Sequence, residues 1–148
     1  MAKKKLSVLI PDGESKFTLA VFRTLSQVDD LEIHILSNQP NLPIRYSRFC
    51  YSFTTYEPGS DVVKAILDAI QNVKADVLLP IDVPMIRLVS SHRDIFASMI
   101  SLPPLALPET IDLAGDKGHL AKLMQAHGIP HPATVFCNKV DPEERNFA

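Results

Sequence analysis

The chain has 148 residues, a formal net charge of -2, 46% hydrophobic residues and 22% charged residues. That length supports one ordinary domain with its own core, and the composition is that of a soluble globular protein. The charge balance argues against a polyanion partner, and no apolar run approaches the roughly 20 residues that span a bilayer.

Lys3-Lys4-Lys5 is too short to mark a nucleic-acid arm and reads as a solvated lead into a first strand. The apolar run Leu6–Ile10 is too short for a signal peptide, so a cytoplasmic location with no membrane partner is the expectation. Cys50 and Cys137 lack any CxxC spacing and read as reduced, packed thiols.

Leu6–Ile10, stopped by Pro11-Asp12-Gly13, predicts a buried strand. Phe17, Val21, Leu25 and Val28 then share one helical face, with Ser15 as the expected cap. Residues 31–36 are apolar and rich in β-branched side chains, which completes a strand–helix–strand unit of a parallel sheet. Residues 38–47 are polar and proline-rich and predict an irregular connection, followed by a short strand over 48–53. A helix opening at Gly59-Ser60-Asp61 carries Val63, Ile66, Leu67 and Ile70 inward, and a strand over 76–80 follows. Pro84 is well placed to start a helix with Met85, Leu88 and Val89 inward. Residues 92–97 continue that helix or form a separate turn. Residues 100–107 are broken by Pro103-Pro104 and can form only an edge strand or an extended segment. The alternation predicts an α/β fold, a Rossmann-like, doubly wound, mostly parallel sheet.

Asp116 to Phe136 reads as a capped helix and a strand. Asp116 is suited to cap the helix, Leu120, Leu123, Met124 and His127 form one stripe, and Gly128 closes it. Pro130 and Pro132 forbid continuation, so residues 133–136 are expected to run extended. Lys117 sits in the first turn, where the helix dipole disfavours a cation unless an anion arrives. A capped amphipathic helix with a solvated lysine accounts for the same residues.

In open α/β sheets ligands bind beyond the carboxyl ends of the strands. That rule selects the loop Pro11-Asp12-Gly13-Glu14-Ser15 and the loop Ile81-Asp82-Val83. The first lacks G-x-G-x-x-G and carries two acids, which disfavours a dinucleotide pyrophosphate. Asp82 is equally placed to cap the helix beginning at Pro84. His127 and His131 have a ligand-like spacing, but Gly128 and Pro130 keep them off one helical face.

Asp116-Lys117, a helix of about three turns, then Gly128-Ile-Pro-x-Pro132 and a strand resembles the start of the nucleotide-binding part of ATP-grasp enzymes. Upstream, Asp12-Gly13-Glu14 and Asp76-Val-Leu-Leu-Pro80 with Asp82 resemble the amino-terminal domains of that superfamily, with carbamoyl-phosphate-synthase-like members the nearest in pattern. The resemblance implies a pre-ATP-grasp domain over residues 1–110 and the start of the nucleotide-binding region over 111–148, truncated. It implies a parent that joins a carboxylate to an amine or similar nucleophile through an acyl-phosphate, with ATP and Mg2+ as cofactors. By the same resemblance Lys117 contacts the ATP phosphates and Glu14 and Asp82 hold the small-molecule substrate. Homodimerisation is common in that superfamily. Arg48 lies near where some members bind an anionic group, but it reads more simply as a surface arginine. The remaining catalytic and metal-holding residues of the family cannot be placed in this sequence, so the chain alone is expected to be inactive. A stand-alone nucleotide- or small-molecule-binding α/β regulatory module fits equally well up to Leu107. A receiver domain lacks its acid pair here, and a nicotinamide-dependent oxidoreductase lacks its glycines.

Overall fold

In the computed structural model residues 5–134 are described, and the chain divides after Pro108 into two compact units. The first unit runs β1 (Leu6–Ile10), α1 (Thr18–Leu25), β2 (Leu31–Ser37), a 3-10 turn (Pro43–Tyr46), β3 (Cys50–Thr55), α2 (Val62–Val73), β4 (Val77–Leu78), α3 (Val83–Ser91) and α4 (Arg93–Ala97).

The four strands form one sheet in the order β3-β2-β1-β4, and every pair is parallel. Val8 lies opposite Ile33 and Ile10 opposite Ile35. Side chains alternate across the sheet, so each strand supplies both faces. Val8, Ile10, Ile33 and Ile35 pack with Phe22 of α1 and Ile44 of the 3-10 turn. Leu9, Leu36 and Leu78 pack on the other face with Ile66, Met85, Val89 and Phe96 from α2, α3 and α4. Helices on both faces make the sheet doubly wound, as the alternation of elements predicts.

The first two predicted strands are found as β1 and β2, the third is shifted from 48–53 to Cys50–Thr55 as β3, and β4 is shorter than residues 76–80, because Pro80 cannot donate to a ladder. Beyond β4, Ser101 makes one parallel bridge to Val77, and the edge strand goes no further before Pro103-Pro104. Residues 93–97 form a separate short helix, α4, turned off from α3 at His92.

Two local expectations are corrected. The buried side of α1 is Thr18 and Phe22, not the face of Phe17, Val21, Leu25 and Val28; Phe17 is 51% exposed and Val28 55%. Ser15 does not cap α1. The helix starts only at Thr18, and Ser15 instead turns its hydroxyl toward Asp82.

α5 (Pro108–Gly115) begins at the boundary residue Pro108 and runs into the second unit, where α6 (Lys117–Ala126) follows. The sequence reading missed α5, whose start at proline is a favoured first-turn position. Asp116 caps α6 as expected, accepting from the Gly118 and His119 N–H groups at 2.9 Å each, and Gly128 takes φ +63 beyond the helix end. The expected stripe does not hold, because Ala121 is the buried residue of α6 while Leu123 and His127 are exposed. Ala133 and Thr134 are not in a strand, and residues 135–136 of the expected strand lie outside the described residues.

Candidate functional site

The chain leaves β1 toward β2 on one side and later crosses to β4 on the other. The order reverses between β1 and β4, and a crevice opens there at the carboxyl ends of the strands. The two loops that follow these strands meet at this point.

Asp12 joins them. Its side chain is 3% exposed, and its carboxylate accepts from the Asp82 N–H at 2.7 Å and the Ile81 N–H at 3.0 Å. Burial pushes this carboxyl up to about 6, although the two backbone donors favour the charged form and hold it back. Gly13 follows, with its N–H donating to the Leu36 carbonyl at 2.9 Å. A Cβ there would lie 2.5 Å from Cγ2 of Ile35, so the loop can approach β2 only as glycine.

That approach sets Glu14. Its Oε2 accepts from the Ser37 hydroxyl at 2.7 Å and the Asn38 N–H at 3.3 Å, at the carboxyl end of β2. Tyr56 stands beside it, and its hydroxyl is pushed up by burial first and by the Glu14 charge second. Asp82 works in two directions. Its Oδ1 accepts from the Val83 N–H at 2.8 Å and caps α3, while its Oδ2 accepts from the Ser15 hydroxyl at 3.0 Å.

Asp12, Glu14, Ser15 and Asp82, with Pro84 and Met85, line one cleft of about 160 Å³. The two sequence-derived acids Glu14 and Asp82 are therefore brought to a common space. Three carboxyl groups around a small cleft favour a hydrogen-bond donor such as an ammonium or hydroxyl group over an anion. Among the described residues no group of three or more His, Cys, Asp or Glu side chains is placed to hold a metal. Asp12 is the residue whose importance the sequence did not reveal. Its place just after β1 was visible, but a buried carboxylate leaves no mark in hydrophobic periodicity.

Lys117, in the second unit, is the first residue of α6 and is exposed. The Asp116 carboxylate already satisfies two first-turn amides and lies 3.1 Å from Nδ1 of His119. An anion at this helix start would thus meet the Lys117 ammonium rather than those two amides. Arg48 is exposed and lays its guanidinium over the Phe49 ring at 4.6 Å. His34 is buried, with Nδ1 2.6 Å from the Ser52 hydroxyl, and burial holds its pKa below the usual value. Cys50 is a half-buried free thiol, raised in pKa by burial; Cys137 lies outside the described residues.

No protein-family model matches this sequence, and no curated protein sequence matches it significantly. Solved structures do resemble it. The biotin carboxylase domain dimer of Hydrogenobacter thermophilus 2-oxoglutarate carboxylase, in complex with MgADP, ADP and bicarbonate, is similar over 86% of this chain and 28% of its own length, at 17% identity and a TM-score of 0.58. The biotin carboxylase subunit of a pyruvate carboxylase is similar over 84% of this chain and 28% of its own, at 16% identity and a TM-score of 0.54. A bicarbonate-bound biotin carboxylase domain of a thermophilic 2-oxoglutarate carboxylase gives 17% identity and a TM-score of 0.52. The α/β fold is therefore one found in biotin carboxylase domains, and this chain spans a little over a quarter of their length.

Proposed function

We propose that this chain is the amino-terminal part of an ATP-dependent ligase of the ATP-grasp superfamily. Residues 1–110 would be its pre-ATP-grasp domain, and residues 111–148 the beginning of its nucleotide-binding region. The reaction joins a carboxylate to an amine or similar nucleophile through an acyl-phosphate. The observation that carries this reading is the convergence of Glu14 and Asp82 on one acid-lined cleft at the topological switch point. The likeness of fold to biotin carboxylase domains, one of them holding MgADP, supports it.

In this reading Glu14 and Asp82 accept hydrogen bonds from the ammonium or hydroxyl group of the nucleophile and hold it in place. Asp12 fixes the spacing of the two loops that carry them. ATP supplies the phosphoryl group that activates the carboxylate, and Lys117 offsets the charge of its phosphates. The remaining catalytic and metal-holding residues of that superfamily have no counterpart placed in this sequence, and on this reading the 148-residue chain alone should not turn over ATP.

The test is ADP release by the protein that carries this chain, across a panel of carboxylates and amines. Glu14→Gln and Asp82→Asn should each raise KM for the nucleophile at least tenfold with little change in kcat. Lys117→Ala should raise KM for ATP. Ligase-rate turnover by the 148-residue chain alone, or ADP release that no nucleophile stimulates, would sink the reading.

A further inference from the structure

A second opening lies on the face of the sheet covered by α1. One depression, of about 210 Å³, begins at Glu14 and Lys16. Another, of about 330 Å³, ends at Arg23, Ser47 and Phe49. They share Leu19, Pro43 and Ile44 in their linings, so they adjoin as a two-part groove between α1 and the 3-10 turn. Its middle is apolar, and its size is that of a small-molecule site.

The charges at its ends are unequal. Arg23 is exposed at one end, and Arg48 lies against Phe49 at the same end. No ion pair among the described residues engages Arg23. At the other end stand Lys16 and Glu14, whose carboxylate is already held by Ser37 and Asn38. Lys16 and Glu14 offset one another at their end, whereas no acidic residue lines the Arg23 end, so a carboxylate head would be drawn to Arg23 while an apolar body would cover Leu19 and Ile44. A larger cavity, of about 870 Å³, lies near Asp76, Arg93 and Pro103, but its charges are engaged: Asp76 accepts from the Ser7 N–H and Arg93 donates to the Leu105 carbonyl.

We propose that the groove between α1 and the 3-10 turn binds a small apolar carboxylate, aromatic or branched-aliphatic, with its head at Arg23 and its body over Leu19 and Ile44. The groove adjoins the acid cleft, since Glu14 and Ser15 line both, but its Arg23 end selects the opposite charge. Ser15 lines the groove and donates to Asp82, so the bound ligand lies beside the loop that shapes the cleft.

The experiment is a titration of the isotope-labelled 148-residue chain with phenylacetate and, in parallel, with neutral phenylacetamide, read by backbone amide shifts. Phenylacetate should give saturable shifts over residues 19–26 and 43–49 and bind at least fivefold more tightly than the amide. Arg23→Gln should remove that preference, and Leu19→Glu should abolish binding. The absence of saturable shifts would overturn the proposal. So would equal binding of acid and amide, or binding that Arg23→Gln leaves unchanged. Shifts that follow protein concentration rather than phenylacetate would assign the groove to a second copy of the chain, and the proposal would fall.

Discussion

Asp82 donates its backbone N–H to the buried carboxylate of Asp12 at 2.7 Å across a sequence separation of 70 residues. With the Ile81 N–H on the same carboxylate, one side chain ties the loop after β1 to the loop after β4. The acid-lined cleft takes its shape from this link.

Burial of this carboxyl, against the pull of its two backbone donors, makes stability depend on pH in an unusual sense. The Asp12 carboxyl rises from an ordinary 3.8 to about 6 on folding, so the folded state holds the proton more tightly than the unfolded chain does. Its contribution is greatest below about pH 4, declines as pH rises from about 4 to about 6, and is level above that, a change of at most about 3 kcal/mol. Asp12→Asn removes this titration. The urea midpoint of the variant, measured from pH 4 to 7, should fall less steeply than that of the parent; identical slopes would exclude Asp12 as the source.

Gly13→Ala tests the close approach of the loop to β2. The new Cβ would stand 2.5 Å from Ile35 and 3.0 Å from Ser37, both buried at the sheet. Relief requires the loop or β2 to move, at a cost of about 1–3 kcal/mol. Urea denaturation at constant slope should register the loss, and a change below about 0.5 kcal/mol would mean the loop is free to retreat.

The two phenylalanines of the α1 region separate the observed helical face from the expected one. Phe22 is 2% exposed within the core under α1, whereas Phe17 is half exposed. Phe22→Ala should cost about 3–5 kcal/mol, and Phe17→Ala far less, by thermal or urea unfolding. Comparable losses would restore the face predicted from periodicity.

Asp116 should protect the start of α6. Its carboxyl is held below the usual range, first by the His119 N–H, so its stabilising effect is present above the ordinary carboxylate pKa and fades as pH falls through the depressed value. Asp116→Ala should speed amide exchange at Gly118 and His119 at neutral pH and leave little difference in strong acid. Unchanged exchange at those two amides would show that the cap is dispensable.

Much of the fold was legible because strand and helix periods are local. Leu6–Ile10 had one reading, and Asp61, Asp82 and Asp116 stand as caps where the sequence suggests helix starts. The face of α1 was not legible. Its spacing admits two apolar sides, and the sheet selected Phe22 with the polar Thr18, whose hydroxyl reaches the Asp12 carbonyl at 2.7 Å. The stripe on α6 failed for a related reason: periodicity shows which side chains share a side, but not whether anything covers them.

By itself the sequence determined the order and kind of most elements, since apolar spacing, prolines and capping acids act within a few residues. It also placed Glu14 and Asp82 after strands, where a parallel sheet presents its ligand loops. Only the tertiary structure decided that these acids share a cleft and that Asp12 is buried between their loops. It alone decided that Gly13 is held against Ile35 and that α1 and the 3-10 turn leave a groove ending at Arg23. Each of these depends on strands distant in sequence becoming neighbours in the β3-β2-β1-β4 sheet, and no local pattern encodes which strands lie side by side.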